Sequence, residues 1–282
     1  MHLRVFPAAG PPALLLHGAI ENGRIFYSMS GRGWAPFLQA VGFQVYVVDL
    51  RGRGQSTPRA GRHSRHGQWE VINEDLPALA ALLAERHPGA KQLWCSHSWG
   101  GVLMKAALAR HDELAERVGA CVHFGTKRSV SVINWSRIVQ LNVGWHLLAP
   151  AAVAIFGYLP AKALKMGSDI ETRASLAASR AWVRMGPWVD PRDGFDYAAA
   201  AAERSMPPSL FVAGAKDPVL GHPIDMRRFM AECGVDERSF RLLGQSSGDR
   251  HDYDHINMLT HPDAPEDHFP GLVAWINERF CL

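Results

Sequence analysis

The sequence predicts an α/β protein: a mostly parallel sheet with helices on both faces, plus an inserted helical cap. Three observations predict it. Short apolar runs bounded by turn residues alternate with stretches of helical spacing, the pattern of buried parallel strands and their crossover helices. Residues 127–206 break that alternation and show helical spacing only. A serine, Ser98, stands among small residues between an apolar run and a helical one.

Taken in order, residues 3–6 are a weak strand candidate, and residues 13–16 form an apolar run that stops at His17-Gly18. Residues 34–40 are helical and end before Gly42, and the β-branched and aromatic run 43–48 ends at Asp49. Within residues 69–86, Val71, Ile72, Leu76, Leu79, Leu82 and Leu83 fall at helical spacing, and Pro88-Gly89 is the stop signal. Residues 93–96 lead into Ser98, residues 101–110 follow it as a helix, and residues 118–124 end at Gly125. The stretch 127–206, rich in Trp, Leu, Ala and Met, reads as the cap. Pro207-Pro208 ends it, because proline cannot extend a helix and restricts the residue before it. Strand 210–213, helix 226–233, strand 240–243 and helix 269–280 complete the chain. The expected division is a core of 1–126 and 207–282 around a cap of 127–206.

Composition narrows the function classes. At 282 residues and 47% hydrophobic, the chain is long enough to bury a core without disulfides or metal. A net charge of +3, spread thinly, makes no case for nucleic acid. The local cluster Arg59, Arg62, His63, Arg65 and His66 reads as a solvated loop, with a patch attracting anionic substrates or surfaces as the alternative. Cys95, Cys121, Cys233 and Cys281 are scattered, which argues against zinc and thioredoxin-like sites and suits a reducing compartment. The N-terminus lacks a signal-peptide pattern, and the apolar stretch 147–159 is broken by Pro150 and Gly157. A soluble cytoplasmic protein without stable membrane insertion is the expectation.

The sharpest motif is Ser96-His97-Ser98-Trp99-Gly100-Gly101, which follows a strand and opens a helix. So tight a turn requires small residues two positions before and after the serine, and it exposes the hydroxyl at the sheet edge with a helix N-terminus behind it. Upstream, His17-Gly18-Ala19 ends a strand so that the Ala19 N–H turns towards the serine. The Ala19 and Trp99 amides would then form an oxyanion hole, and His17 would be a structural hydrogen-bonding residue. Asp49-Leu50-Arg51-Gly52-Arg53-Gly54-Gln55-Ser56 is a tight glycine turn that Asp49 and Arg51 are expected to hold together. It lacks the Gly-Lys-Ser/Thr of a phosphate loop.

On these residues the chain resembles the α/β-hydrolase superfamily: the 49–56 loop, the His17-Gly18 strand end and the elbow centred on Ser98, covering most of the chain outside the cap. The resemblance implies a triad in the order serine, acid, histidine. Val212-Ala213-Gly214-Ala215-Lys216-Asp217 is similar to the family's acid segment and implies Asp217, with Asp193 and Asp196 as poorer candidates inside the cap. Tyr253-Asp254-His255-Ile256-Asn257-Met258-Leu259 is similar to its histidine segment and implies His255, leaving His251 and His261 as loop residues. A metal reading of His251, Asp252, Asp254 and His255 lacks a distant ligand. Members of this fold begin with more strands than residues 3–6 supply, so the N-terminal sheet edge is trimmed or the start lies upstream.

The resemblance implies a serine hydrolase of esterase or lipase type, without cofactor or metal, acting on a small ester with an apolar acyl or alcohol part. A serine at the elbow argues against dehalogenases and the usual epoxide hydrolases, which place Asp there. A lactonase, amidase, acyltransferase or carbon–carbon hydrolase would use the same triad, and a non-catalytic binding protein on this fold is the alternative of another class. Trp135, Trp145, Leu147, Leu148, Ile155, Phe156, Tyr158, Trp182 and Trp188 give the cap its apolar area. Most are expected to form its own core and its seat on the sheet, the rest to meet substrate. The oligomeric state is left open.

Overall fold

A computed structural model describes residues 1–280; Cys281 lies outside the described residues. Seven strands form one sheet: β1 (His2–Phe6), β2 (Pro12–Leu16), β3 (Gln44–Asp49), β4 (Gln92–His97), β5 (Val118–Phe124), β8 (Ser209–Gly214) and β9 (Phe240–Leu243). Their order is β1-β3-β2-β4-β5-β8-β9, with β1 antiparallel at the edge and every other neighbour parallel. All the runs read as strands from the sequence are strands here. The parallel strands read as continuous apolar runs because both sheet faces are covered. Leu14, Leu16, Tyr46 and Val48 pack on one face, against Leu76, Val102 and Phe229. Ala13, Leu15, Val45 and Val47 pack on the other, against Trp34, Phe269 and Leu272. Cys95 and Cys121 are buried in the sheet, and burial pushes the Cys95 thiol up to about 12, so it packs as a small apolar group.

Parallel strands present their carboxyl ends along one edge, and the loops leaving that edge carry the chemistry. The loop after β3 is held by Asp49, whose carboxylate accepts the Gly23 and Gln55 amides, each at 2.8 Å. The Ser56 hydroxyl closes the loop onto the Asp49 carbonyl at 2.5 Å. Arg51, expected to share this task, instead reaches Asp75 and Glu74 on the next helix at 2.6 Å each. Arg53 is the inward arginine: it is buried, donates to the Gly18 carbonyl at 3.0 Å and pairs with Glu171.

The segment between β5 and β8 carries helices Arg137–Phe156, Arg173–Val183 and Tyr197–Glu203, and also a two-stranded antiparallel sheet of β6 (Tyr158–Leu159) and β7 (Glu171–Thr172). The sequence shows no strand there because two residues are too few to produce a period. Asp169 and Glu171 anchor this sheet to the core. Asp169 accepts from Asn22, the Gly54 amide and Arg59 at 2.7–2.8 Å, and Glu171 takes Arg53. Trp182, Trp188 and Tyr197 pack into the main core rather than into a separate one. The expected break at Pro150 does not occur. Pro150 sits where the wide-turned Arg137–Leu148 gives way to the α-helical Ala149–Phe156, so the N–H it lacks falls where the hydrogen-bond spacing changes, and the helix runs on unbroken. The resulting 20-residue helix is, by length and composition, long and apolar enough to cross a membrane, with a mean hydropathy of 1.5.

The Asp49 carboxylate leads to a stability prediction. Asp49→Ala strips acceptors from two amides beneath the sheet edge and should cost roughly 2–4 kcal/mol in urea unfolding. An unchanged midpoint would show that the loop holds without it.

Candidate active site

β4 ends at His97, and the chain turns so sharply that Ser98 takes φ 52° and ψ −124° before helix Trp99–Arg110 begins. That left-handed geometry is strained for a residue with a side chain, and such strain clusters at functional sites. The turn fits only because Gly100 has no side chain: a Cβ there would lie 2.5 Å from the Leu16 carbonyl oxygen and 2.6 Å from that of His17. Ser96 occupies the other small position and is accommodated, since its hydroxyl bonds His123 Nδ1 on β5 at 2.7 Å. The Ser98 amide donates to the Phe124 carbonyl at 2.8 Å, and the Thr126 hydroxyl donates to the Ser98 carbonyl at 2.9 Å.

Asp217, in the loop after β8, and His255, in the loop after β9, meet beside this turn. His255 Nδ1 donates to Asp217 Oδ2 at 2.7 Å, both side chains being buried. The second carboxylate oxygen accepts the amides of Val219 at 3.1 Å and Leu220 at 2.8 Å. Burial alone would raise the Asp217 pKa, but His255 and the amide donors outweigh it and hold the carboxyl below its ordinary range. With its proton on Nδ1, a neutral His255 keeps its Nε2 lone pair free. Gly125, at φ 58°, lets the chain after β5 pass the ring; a Cβ there would lie 2.8 Å from both Cε1 and Nδ1.

Two buried residues that the sequence reading did not single out brace these loops. His97 Nε2 donates to the His255 carbonyl at 2.9 Å, and its Nδ1 bonds Glu21 at 2.7 Å. Glu21 also accepts the Gly18 amide. Burial alone would lower the His97 pKa and raise that of Glu21. Their mutual attraction and hydrogen bond reverse both, raising His97 and lowering Glu21. No spacing rule predicts this pair, because His97 lies inside the elbow and Glu21 beyond the His-Gly turn. His17 is structural, as expected: the Leu50 amide donates to its Nε2 at 3.1 Å, so its Nδ1 carries the proton to the Gly18 carbonyl at 2.9 Å. Burial, then Arg53, keeps it neutral by lowering its pKa.

Ser98 and His255 open into one cavity of about 820 Å³, which Ala19 and Trp99 also line. Neither of those two amides hydrogen-bonds to a described residue. Lys127 lines the same cavity, is 8% exposed and has no ion-pair or hydrogen-bond partner among the described residues. Burial lowers its pKa, opposed by the charges of Asp217 and Asp225. Of the nine cap residues named from the sequence, Trp145 lines the cavity. Trp182 and Trp188 are core, Tyr158 is half-buried in β6, and Trp135, Leu147, Leu148, Ile155 and Phe156 are exposed.

The competing residues go elsewhere. Asp193 pairs with Arg110, and Asp196 caps helix Tyr197–Glu203. Asp252 accepts the Gln245 amide, and Asp254 accepts those of Ile256 and Asn257, so the set His251, Asp252, Asp254 and His255 does not converge. A different set does: donor atoms of His251, His261 and Asp263 lie within 4.8 Å of one another. They satisfy one another, His251 Nε2 with Asp263 at 2.7 Å and the Asp263 amide with His261 Nδ1 at 3.2 Å, and none lines the cavity.

Comparison with known proteins agrees with this architecture. A family profile described as "Serine aminopeptidase, S33" matches residues 13–247. Over 120 residues the chain is 32% identical to the lipase LipV of Mycobacterium tuberculosis, and this match covers 42% of the chain and 40% of that protein's length. Among solved structures it is similar to the N-acyl homoserine lactonase AidH, with a TM-score of 0.60 and 16% identity over 99% of this chain and 93% of that one. It is also similar to a carboxylesterase structure from Nitrososphaera gargenis, with a TM-score of 0.60 and 18% identity over 98% and 95% of the two chains. The esterase RhEst1 from Rhodococcus sp. ECU1013 gives 0.54 and 17% over 98% and 94%. At these identities the structural likeness speaks for the fold alone.

The His97–Glu21 pair has a pH signature. His97 is raised above its ordinary 6.5, so its contribution is present below that value and is lost as pH rises through the raised one. Glu21 is lowered below its ordinary 4.5, so its contribution is present above that value and is lost as pH falls through the lowered one. The pair therefore stabilises most between about pH 4.5 and 6.5. Melting temperatures of wild type and Glu21→Gln should differ most in that window and converge on either side. A difference independent of pH would count against the charged pair.

Proposed function

Because the chain belongs to the serine aminopeptidase S33 family of α/β hydrolases, we propose that it is a serine hydrolase cleaving a carboxylic ester with an apolar acyl or alcohol part through an acyl-enzyme. The observation that carries this reading is the His255–Asp217 hydrogen bond at 2.7 Å, facing the cavity into which the strained Ser98 also opens.

The steps follow from this arrangement. Ser98 Oγ makes no hydrogen bond to a described residue at rest, so the hydroxyl must close on His255 Nε2 once substrate is bound; such contacts commonly tighten only in the productive complex. His255 then takes the hydroxyl proton as the oxygen attacks the ester carbonyl. Asp217 keeps the imidazole in the required tautomer and stabilises the imidazolium. The Ala19 and Trp99 amides receive the developing oxyanion, each such donor typically contributing about 3 kcal/mol in the transition state. His255 returns the proton to the leaving alcohol, and water activated in the same way releases the acid. Ile20, Leu141, Trp145, Met166 and Val183 give the cavity a largely apolar wall, which favours an apolar ester.

A fluorophosphonate probe should label the wild type, fail on Ser98→Ala and react roughly 10³-fold or more slowly with His255→Ala. Asp217→Asn should lower kcat about 10⁴-fold by favouring the wrong tautomer. Among p-nitrophenyl esters, turnover should rise from acetate to mid-length chains; a steady decline from acetate would overturn the apolar-substrate reading. Labelling that survives in Ser98→Ala would assign another nucleophile.

A further inference from the structure

Helix Arg137–Phe156 is only 22% buried over its most apolar stretch. Its inward side is already used: Leu141, Gly144 and Trp145 line the cavity, while Ala149, Ala152 and Val153 pack on Leu159, Ala161 and Leu176. Its outward side, with the segment before it, exposes Ile133 at 85%, Trp135 at 76%, Leu147 at 63% and Ile155 at 68%, with Leu148 and Phe156 beside them. An exposed apolar surface this continuous marks an interaction site rather than chance.

The sequence around this face is basic. From residue 127 to 168 it has no Asp or Glu; Arg137, Lys162 and Lys165 lie in this stretch, while Lys127 is buried at the cavity and Arg128 is buried against Glu232. Other arginines fold over the helix: Arg180 donates to the His146 carbonyl at 3.1 Å and Arg173 to that of Val153 at 3.4 Å. Burial, then the charges of Arg180, Arg184 and Arg137, holds the His146 pKa down. At the C-terminal end Arg62, from the basic loop noted in the sequence, packs against Gly157 and shares a shallow hollow with Arg65 and Arg173.

We propose that this apolar face and its arginine rim dock on an anionic lipid surface, the helix lying in the interface plane. An amphipathic helix with bulky apolar residues outward, Trp at its edge and Arg around it is suited to that position. A second copy is disfavoured as occupant, since a two-fold interface sets each patch against itself and brings the two arginine rims together. The docked helix has the candidate cavity on its other side, so a lipid-dissolved molecule would need to cross only one helix to reach Ser98. Docking itself does not depend on the hydrolase reading.

The test is co-sedimentation of the full chain as Ser98→Ala, which removes turnover, with vesicles of phosphatidylcholine alone or containing one-third phosphatidylglycerol. Binding at least about tenfold tighter to the anionic vesicles, and weakened by about 0.5 M salt, is expected. The added pair Leu147→Asp and Ile155→Asp, both at exposed positions outside the cavity, should lower that binding at least about tenfold with the melting temperature retained. Failure of the parent to bind anionic vesicles overturns the proposal without reference to any variant. So does binding that the pair leaves unchanged, which would assign another surface. A dimer that the pair dissolves, in a protein that ignores vesicles, would give the face to a second copy and overturn it as well.

Discussion

Three separate segments of the chain meet on one buried hydrogen bond, that between His97 and Glu21. His97 is the last residue of β4 and immediately precedes the strained Ser98. Glu21 holds the Gly18 amide and so fixes the approach to Ala19. The other nitrogen of His97 holds the carbonyl of His255. The Ser98 turn, the strand end at Gly18 and the His255 loop are thereby tied to one ring. A buried charge without a partner would be destabilising, and a pair stays in place only when its remaining polar atoms are satisfied as well. Here the Gly18 amide and the His255 carbonyl supply that satisfaction, so what keeps the pair charged is also what orients the site. In the acyl-transfer reading, a donor displaced by an ångström is of little use, and this bracing gives the rigidity that preorganised donors require.

The same geometry explains why the sheet must be parallel here. β2, β4, β5 and β8 all end at one edge, so Gly18, Ser98, Gly125 and Asp217 leave from neighbouring strand ends. The elbow is then compressed from both sides: the carbonyls of Leu16 and His17 forbid a side chain at position 100, while the Phe124 carbonyl accepts the Ser98 amide. Strain of this kind persists only when the surroundings over-determine it. Strands on both sides do so.

How much of this was legible in the sequence depended on the range of the interaction. Strands and helices were legible because apolar period is local, and the Ser98 turn was legible because steric demand on positions 96 and 100 is local too. Asp217 and His255 are far apart in sequence, and their segments were chosen through resemblance to a family rather than from spacing. Glu21 and His97 were invisible, because a hydrogen bond spanning 76 residues leaves no periodic trace. Arg51 points away from the turn it is expected to hold, and Arg53 points inward, because side-chain direction in a glycine turn depends on backbone angles that the sequence does not print. Pro150 reads as a break in the sequence, whereas the helix passes it at a change of hydrogen-bond spacing that no sequence period displays. Most of the large apolar cap residues are expected in the cap's core and its seat on the sheet, yet five of the nine are exposed, because burial within a helical insertion depends on how its helices pack.

Charge balance inside the cavity bears on what can enter it. Of its charged lining residues, Glu21 is paired with the buried His97, while Arg24, Lys127 and Lys165 have no ion-pair partner among the described residues. In the acyl-transfer reading, the proton gained by His255 and the anionic carbonyl oxygen sum to zero but are separated across the site. Separation is costly in an apolar cavity unless fixed charges and dipoles already point the right way. In that reading Asp217 serves the side that becomes positive, and the Ala19 and Trp99 amides serve the side where negative charge develops. Lys127 lines the same wall, where burial lowers its pKa against the opposing charges of Asp217 and Asp225.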